Sequence, residues 1–287
     1  MKKIFMSLLL MVALSTATAA EPLHIPIWDN STAPHSNGLS GEDKKLENGN
    51  YQNITHTDLY IYEADREKNT GQAILICPGG GYGAVAVGKA GIEFAEWLSA
   101  EGITAAVLKY RLPNGVKEVP FEDVEAAMKV MRQRSRQLGY DPNKVGLSGS
   151  SAGGHLVSWF ASMADESVKP NFTVLFFPVI TGDKGVAHEG SFNNLLGKDR
   201  STTQTLYHSV ERLVDKNTPP SLIFHSSDDK LVPVENGVRY YEKLIEFKIP
   251  AAMYLFPTGG HGWIMRDKVP VELWGPLMLD WMKYINK

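Results

Sequence analysis

A serine stands at the centre of a five-residue glycine pattern, Gly149-Ser150-Ser151-Ala152-Gly153. Such a G-x-S-x-G segment is typical of a sharp turn that links a strand to a helix and lifts the central hydroxyl into a cleft. The glycines let the backbone pass closely, because they carry no Cβ atom. The pattern therefore predicts that Ser151 is a nucleophile and that Ser150 is a poorer candidate.

A serine hydroxyl becomes a strong nucleophile when a base removes its proton, and the base needs an acid to orient it. Later segments supply these groups in the chain order serine, acid, histidine. Asp228 and Asp229 follow an apolar run that ends at His225, and His261 lies in a glycine-flanked loop after the next such run. Either aspartate could reach the base, so the residues alone leave that choice open. We expect His225 to shape the acid turn and His155 to pack beneath the serine turn.

A third candidate segment is the glycine run Pro78-Gly79-Gly80-Gly81-Tyr82, which also follows an apolar run. Ester cleavage passes through an oxyanion, and backbone N–H groups aimed at that charge accelerate the reaction. No Gly-Lys-Ser or Gly-Lys-Thr ending follows, as a phosphate-binding loop would require, and the spacing of a dinucleotide fingerprint is missing. We therefore expect this segment to supply donors to an oxyanion.

Strand and helix patterns alternate along most of the chain, which predicts an α/β fold. Parallel strands need helical crossovers, so the alternation predicts a mostly parallel central sheet with helices on both faces. Ligands bind beyond the carboxyl ends of the strands in such sheets, where the three candidate segments lie. The predicted strands are 55–62, 73–77, 104–110, 145–148, 172–177, 221–225 and 251–256, and the predicted helices are 90–100, 121–138, 152–163, 236–247 and 271–285.

The composition excludes several classes of function. The 287 residues are 43% hydrophobic, and the net charge of -3 offers no basic excess for binding nucleic acid. Cys77 is the only cysteine of the chain, which excludes an intrachain disulfide and a cysteine-ligated metal cluster. We therefore expect neither a metal nor another cofactor, and no nucleic-acid partner.

The first twenty residues have the layout of a secretory signal peptide. Lys2 and Lys3 precede an apolar run, and small residues close the segment at 15–20. No later stretch is apolar for long enough to span a membrane. We expect cleavage of residues 1–20 and export to the periplasm or the medium.

Two other segments interrupt the alternation. Residues 21–54 are rich in Asn, Ser, Gly, Pro and Lys, which predicts an irregular N-terminal arm beside an edge strand at 55–62. The long connection 181–220 predicts a small lid insertion over the site. The predicted hydrolase domain then spans 55–287.

From about residue 59 to the end, the chain resembles the α/β-hydrolase superfamily. Gly79-Gly80-Gly81-Tyr82 is similar to the oxyanion loop of the esterase branch, with Pro78 where a histidine is usual. The segment Asp228 to Pro233 is similar to the acid turn of that family, Asp-x-x-Val-Pro, and this resemblance selects Asp229. The resemblance also implies an oxyanion hole and two substrate-binding aromatic residues, which are respectively Gly80, Gly81 and Ala152, and Tyr82 and Trp263.

Four shorter segments resemble exported bacterial carbohydrate esterases, similar to acetylxylan and feruloyl esterases. The segments are 25–28, 110–112, 151–156 and 194–197. The resemblance implies a serine esterase with the triad Ser151, Asp229 and His261, which removes acetyl or other acyl groups from plant-type polysaccharides, oligosaccharides or small esters. A serine peptidase of the same superfamily and a non-catalytic glycan-binding module are the alternatives. We reject glycoside hydrolysis, because no motif places two opposed carboxylates beside Ser151.

Overall fold

The computed structural model describes residues 21–286, so the predicted signal peptide at 1–20 lies outside the described residues. The strands are β1 (Leu23–Asp29), β2 (Lys44–Lys45), β3 (Tyr51–Gln52), β4 (His56–Tyr62), β5 (Ala73–Cys77), β6 (Thr104–Lys109), β7 (Val145–Ser150), β8 (Thr173–Phe176), β9 (Ser221–Ser226) and β10 (Ala251–Phe256). The helices are α1 (Phe94–Ala100), α2 (Glu118–Leu138), α3 (Ala152–Met163), α4 (Glu189–Leu196), α5 (Thr202–Tyr207), α6 (Glu235–Glu246) and α7 (Val271–Ile285). A π-helical segment at Gly88–Glu93 leads into α1, and a 3-10 turn at Val210–Arg212 follows α5.

Eight of these strands form one sheet in the order β1-β4-β6-β5-β7-β8-β9-β10. The pairs from β6 to β10 are parallel, and β1 and β4 join one edge in antiparallel register. The predicted α/β fold with a mostly parallel sheet is confirmed. The predicted elements agree with the structure to within four residues at their ends: α1 begins four residues late, at Phe94, after the π-helical segment, and α2 begins three residues early, at Glu118. Its first turn contains Pro120, and proline is tolerated there because the first-turn N–H groups need no intrahelical acceptor.

The central strands could be predicted from the sequence because they are completely buried. Every residue of β5, β6, β7 and β9 is buried, so both faces of the sheet are covered along these strands. A strand buried on both faces is a continuous apolar run rather than an alternating one. The carboxyl ends of β5, β7 and β9 carry the glycine loop, the serine turn and the acid turn.

The prediction of an irregular arm at 21–54 is wrong for its first part. Residues Leu23–Asp29 form β1, which pairs with β4 and makes β1, not the 55–62 strand, the edge of the sheet. Pro26 concealed this strand, because proline cannot donate to a strand ladder. An edge strand tolerates proline, since only one of its sides is paired, and the register of β1 shifts between Pro26 and Trp28.

Strand β1 and the rest of the arm are attached to the domain by hydrogen bonds to a buried ion pair of that domain. Arg111 Nη2 and Asp123 Oδ1 lie 2.7 Å apart, and both side chains are fully buried. Trp28 donates its indole N–H to Asp123 Oδ1 at 2.6 Å, and Arg111 donates to the carbonyl of His35 at 2.7 Å. The arm then runs through the hairpin of β2 and β3 to the active-site face.

The insertion at 181–220 carries α4, α5 and the 3-10 turn. Phe192 and Leu195 of α4 are buried in the hydrophobic core, so the insertion packs as part of the domain. Motion of this insertion as a lid stays a prediction. Within residues 21–286, the helices are all too short or too polar to cross a membrane.

Candidate active site

The serine turn places a strained residue between β7 and α3. Ser151 has a φ of 54° and a ψ of -124°, a backbone conformation that residues other than glycine rarely adopt. A Cβ atom on Gly149 would lie 2.3 Å from the carbonyl oxygen of Gly153, and one on Gly153 would lie 2.0 Å from the carbonyl oxygen of Cys77. Both positions therefore require glycine, and the sharp turn raises Ser151 at the end of β7.

Ser151, His261 and Asp229 form a continuous hydrogen-bonded path. The Nε2 atom of His261 lies 2.9 Å from Ser151 Oγ, and its Nδ1 atom lies 2.7 Å from Asp229 Oδ2. The Asp229 side chain is fully buried, whereas that of His261 is 16% exposed. The structure thus brings together the three residues that the sequence analysis selected, from turns that follow three different strands.

The structure separates the two adjacent aspartates. Asp229 Oδ1 accepts hydrogen bonds from the backbone N–H groups of Leu231 and Val232, each at 2.9 Å, which leaves Oδ2 for His261. Asp228 Oδ1 instead accepts from the backbone N–H of Gly260 at 2.8 Å. Asp229 therefore contacts the imidazole, and Asp228 holds the loop that carries it.

Asp229 remains a carboxylate because its hydrogen bonds outweigh its burial. Burial raises its pKa, but contacts from His225 and His261 and the N–H of Val232 hold the pKa of this carboxyl well below its ordinary value. His225 Nε2 lies 3.6 Å from Asp229 Oδ2 and 3.0 Å from the carbonyl oxygen of Val232. His225 therefore packs inside the acid turn, as expected.

The glycine loop lies against the serine turn. Gly79 donates its backbone N–H to Ser150 Oγ at 3.0 Å, and a Cβ on Gly79 would lie 2.9 Å from Ser151 Cβ. Gly80 and Gly81 have φ values of 136° and 65°. Within residues 21–286 their N–H groups have no protein acceptor, and the N–H of Ala152 is the first of α3. Gly80 and Gly81 line the same cavity as Ser151, and Ala152 follows Ser151 at the N-terminus of α3, where the helix favours negative charge.

A cavity of about 590 Å³ opens over Ser151 and His261. The glycine loop, the His261 loop, the segment before α1, the hairpin of the arm and the insertion all contribute to its wall. Phe177, Leu231 and Ile264 provide apolar surface. The polar side chains on the wall, apart from the triad residues and Ser150, are those of Asn48, Asn50, Lys89, Glu93, His188 and Arg266.

His188 reaches this cavity although the sequence analysis gave it no role. It precedes α4, and its Nδ1 accepts a hydrogen bond from the backbone N–H of Ser191 at 3.2 Å. A Cβ on Gly81 would lie 3.7 Å from His188 Cε1, so the ring borders the glycine loop. Burial and, less strongly, the nearby His261 lower the pKa of His188, which favours a neutral ring. No local motif marks such a residue, because its position depends on how the insertion packs.

The prediction that Tyr82 and Trp263 contact substrate is wrong. Tyr82 is 1% exposed, and its hydroxyl lies 2.9 Å from Nδ1 of the buried His155. Trp263 is fully buried among aromatic rings that include Phe176 and Trp274. Both residues follow a loop that does reach the cavity, but the backbone turns their side chains into the core.

The described residues contain no group of three or more His, Cys, Asp or Glu side chains arranged to hold a metal. The thiol of Cys77 is buried, and burial raises its pKa.

Two enzymes of known name are similar to this chain in sequence. An acetylxylan esterase of Xylanibacter ruminicola is 38% identical over 200 residues, which are 68% of this chain and 42% of that protein. An endo-1,4-beta-xylanase B of Butyrivibrio fibrisolvens is 31% identical over 227 residues, which are 74% of this chain and 35% of that protein. The chain thus spans less than half the length of these two relatives.

Solved structures show the same architecture. An acetyl ester-xyloside bifunctional hydrolase from Caldicellulosiruptor lactoaceticus superposes with a TM-score of 0.75 at 30% identity, covering 94% of this chain and 99% of that one. An α/β hydrolase from a deep-sea metagenome library, MGS-M1, gives a TM-score of 0.63 at 25% identity, covering 87% and 98%. The BD-FAE family matches residues 58–244, which are more than half of the chain. This chain therefore belongs to the BD-FAE family and has the α/β-hydrolase fold.

Proposed function

We propose that this chain is a serine carboxylic-ester hydrolase that removes acetyl or other acyl groups from polysaccharides or oligosaccharides. The observation that carries the proposal is the path from Asp229 through His261 to Ser151, which opens onto a cavity lined by the backbone of Gly80 and Gly81. The names of the acetylxylan esterase and of the acetyl ester-xyloside hydrolase support the class of substrate.

The geometry supports an acyl-enzyme mechanism. Ser151 Oγ attacks the ester carbonyl while His261 Nε2 takes its proton, and the buried carboxylate of Asp229 stabilises the resulting imidazolium. The carbonyl oxygen becomes an oxyanion, which accepts hydrogen bonds from the N–H groups of Gly80, Gly81 and Ala152. Collapse of this intermediate expels the alcohol, which takes the proton from His261. Water then attacks the acyl-enzyme by the same steps and releases the acid.

The cavity supports a hydroxylated alcohol portion. An acetyl group fills only a small part of about 590 Å³, so most of the space is left for the rest of the substrate. Asn48, Asn50 and Arg266 offer amide and guanidinium donors on the wall. A sugar ring presents hydroxyl groups that accept and donate hydrogen bonds to such side chains.

The test measures hydrolysis of p-nitrophenyl acetate and release of acetate from acetylated xylo-oligosaccharides. We expect Ser151→Ala to lower kcat by roughly 10³-fold or more, because removal of the nucleophile leaves only the oxyanion hole and binding. The matched control is Ser162→Ala near the end of α3, the helix that follows Ser151, and this variant should keep wild-type kinetics. Undiminished turnover by the Ser151 variant would discard the proposal.

The same preparation separates the alternatives. A serine peptidase would cleave dipeptide nitroanilides faster than the esters, and a glycan-binding module would not react with a fluorophosphonate probe. We expect rapid labelling of Ser151 and slow amide cleavage.

Glycoside cleavage is a further distinguishable outcome. It requires two opposed carboxylates. Among the described residues that line the cavity, Glu93 is the one carboxylate, and its Oε2 lies 2.9 Å from Lys89 Nζ. We therefore expect no hydrolysis of p-nitrophenyl xyloside. Xyloside hydrolysis that persists in Ser151→Ala would contradict this expectation.

We also propose that the chain is exported, on the pattern of residues 1–20. N-terminal sequencing of the protein from fractionated cells tests this: a mature chain that starts near Glu21 in the exported fraction supports it, and an intact N-terminus in the cytoplasm contradicts it.

A further inference from the structure

The residue after the glycine loop has a backbone conformation that requires an anchor. Gly80, Gly81 and Tyr82 have consecutive positive φ values of 136°, 65° and 59°. Glycine adopts such values freely, but a residue with a Cβ atom adopts them at a cost in energy. Tyr82 therefore keeps the end of the loop in a strained conformation, which persists only if its surroundings hold it.

A buried hydrogen-bonded chain holds Tyr82. His155 Nε2 lies 2.8 Å from the carbonyl oxygen of His208, and its Nδ1 lies 2.9 Å from the hydroxyl oxygen of Tyr82. A carbonyl can only accept, so the imidazole proton is on Nε2, and the unprotonated Nδ1 accepts the hydroxyl proton of Tyr82. Burial lowers the pKa of His155 to about 4, so the ring is neutral near pH 7.

This chain connects three parts of the site. Tyr82 ends the glycine loop, His155 lies one turn into α3 and donates its backbone N–H to the carbonyl of Ser151 at 3.2 Å, and His208 belongs to the insertion. The insertion also holds the loop from a second side, because Asn194 donates its amide to the carbonyl oxygen of Gly81 at 2.8 Å. The N–H groups of the loop and of Ala152 come from distant segments, and the Tyr82–His155 bond is a direct link between those segments.

We infer that Tyr82 and His155 are positioning residues for the oxyanion hole: their hydrogen bond fixes the glycine-loop donors relative to the donor of Ala152. The inference rests on the proposed esterase function. Neither side chain touches the substrate, and both act through the backbone groups that do. Stabilisation of an oxyanion depends on donors already in place when the charge forms, so a loosened loop loses rate in the chemical step.

The first test is Tyr82→Phe, which removes one hydroxyl and keeps the ring. We expect kcat for p-nitrophenyl acetate to fall about tenfold with KM within about twofold, because the lost interaction acts in the transition state. The matched control is Tyr140→Phe. Like Tyr82, Tyr140 is buried and its hydroxyl donates a hydrogen bond, but the acceptor is the carbonyl of Met131 and the residue lies outside the site. The control removes the same group and should keep the wild-type kcat.

A second set of variants divides the two hydrogen bonds of His155. An asparagine places an amide oxygen near the position of Nδ1, and a glutamine places an amide nitrogen near that of Nε2. We expect His155→Asn to keep kcat within about threefold, whereas His155→Gln and His155→Leu lose about tenfold or more, since both lack the acceptor for Tyr82. Thermal unfolding of every variant shows that the comparison is made on folded protein.

If the wild-type chain is an active esterase, either of two results overturns the inference. Equal kcat values in Tyr82→Phe and Tyr140→Phe would make the Tyr82 hydroxyl an ordinary core group, and a His155→Asn variant as slow as His155→Leu would remove the role of the acceptor. If the wild-type chain does not hydrolyse esters at all, the proposed function fails and the inference fails with it. An active wild type with unaffected Tyr82 and His155 variants contradicts the inference alone.

Discussion

The buried carboxylates of Asp123 and Asp229 each contact a basic residue, but the two pairs serve different ends. Asp123 and Arg111 are both fully enclosed, and the groups around them are fixed by the arm and by β4. Asp229 is equally enclosed, yet its partner His261 keeps a second nitrogen at the cavity, 2.9 Å from Ser151 Oγ. A buried carboxylate pair is therefore available for catalysis only if its basic partner also has an atom at the cavity, as His261 does with Nε2.

The chemistry of the partner reinforces this difference. A guanidinium stays protonated and can only donate hydrogen bonds, so Arg111 cannot receive a proton. An imidazole can take up a proton and release it near neutral pH. The first pair therefore holds the arm on the domain, and the second is suited to moving a proton.

The largest expected effect is on the pair at the cavity. Asp229→Asn keeps an oxygen for the N–H groups of Leu231 and Val232 but removes the charge that orients His261. We expect kcat to fall roughly 10³- to 10⁴-fold. The control is Asp228→Asn, which keeps an acceptor for Gly260 and should lose no more than about threefold. Equal losses in the two variants, measured by steady-state kinetics, would contradict the assignment of Asp229.

The enclosed pair should show the opposite pattern. Asp123→Asn leaves the buried Arg111 without its counter-charge, and we expect the free energy of unfolding to fall by about 3 to 5 kcal/mol. Turnover per folded molecule should stay near the wild-type value, because the pair does not reach the cavity. Urea denaturation and kinetics on the same samples measure both quantities. Normal stability with a reduced kcat in Asp123→Asn would contradict the assignment of Asp123 to the fold rather than to the active site.

A third prediction concerns the enclosed His155, whose pKa is lowered by burial from 6.5 to about 4. The unfolded chain takes up this proton near pH 6.5 and the folded chain only near pH 4, so stability is complete above pH 6.5 and falls as the pH drops through that window. We expect a loss of about 3 kcal/mol from this group between pH 7 and pH 4. Denaturant unfolding at several pH values measures this, and the free energy of unfolding should depend less on pH in His155→Leu than in the wild type. An equal pH dependence in the two proteins would show that His155 takes up no proton on unfolding in this window.

The smallest expected effect belongs to His188, which borders the cavity without joining the triad. His188→Ala removes a neutral donor from the wall, and we expect KM for acetylated xylo-oligosaccharides to rise about threefold with kcat nearly unchanged. The control is His24→Ala on β1, away from the cavity. A kcat loss as large as that of Asp229→Asn would contradict this expectation and would place His188 in the chemical steps.

The parts of the fold that could be predicted are those with a local physical cause. Completely buried strands such as Ala73–Cys77 are continuous apolar runs, and the serine turn needs glycine at both 149 and 153 because a Cβ there would clash with backbone. Strand β1 was missed because Pro26 excludes a central strand, and local sequence does not show that this strand has a free side.

Errors at the site arose where proximity along the chain was taken for proximity in space. Tyr82 and Trp263 each lie within two residues of a cavity-lining residue, but their backbone turns them inward. His188 and Asn48 lie far from every motif and still reach the wall. Their positions follow from the packing of the insertion and of the hairpin, and neither carries a periodic pattern that would reveal it.

By itself, the sequence determined the order of the central strands and of the helices between them, and the glycine turns that carry the candidate nucleophile and base, because each depends on sterics or hydropathy over a few neighbouring residues. Tertiary structure alone decided which groups meet. It put Asp229 against His261, a choice that the residues left open until the family resemblance was considered, turned Tyr82 toward His155 and brought the arm and the insertion to the cavity. These outcomes depend on distances between segments that are remote along the chain, and such distances are set only when the whole core packs.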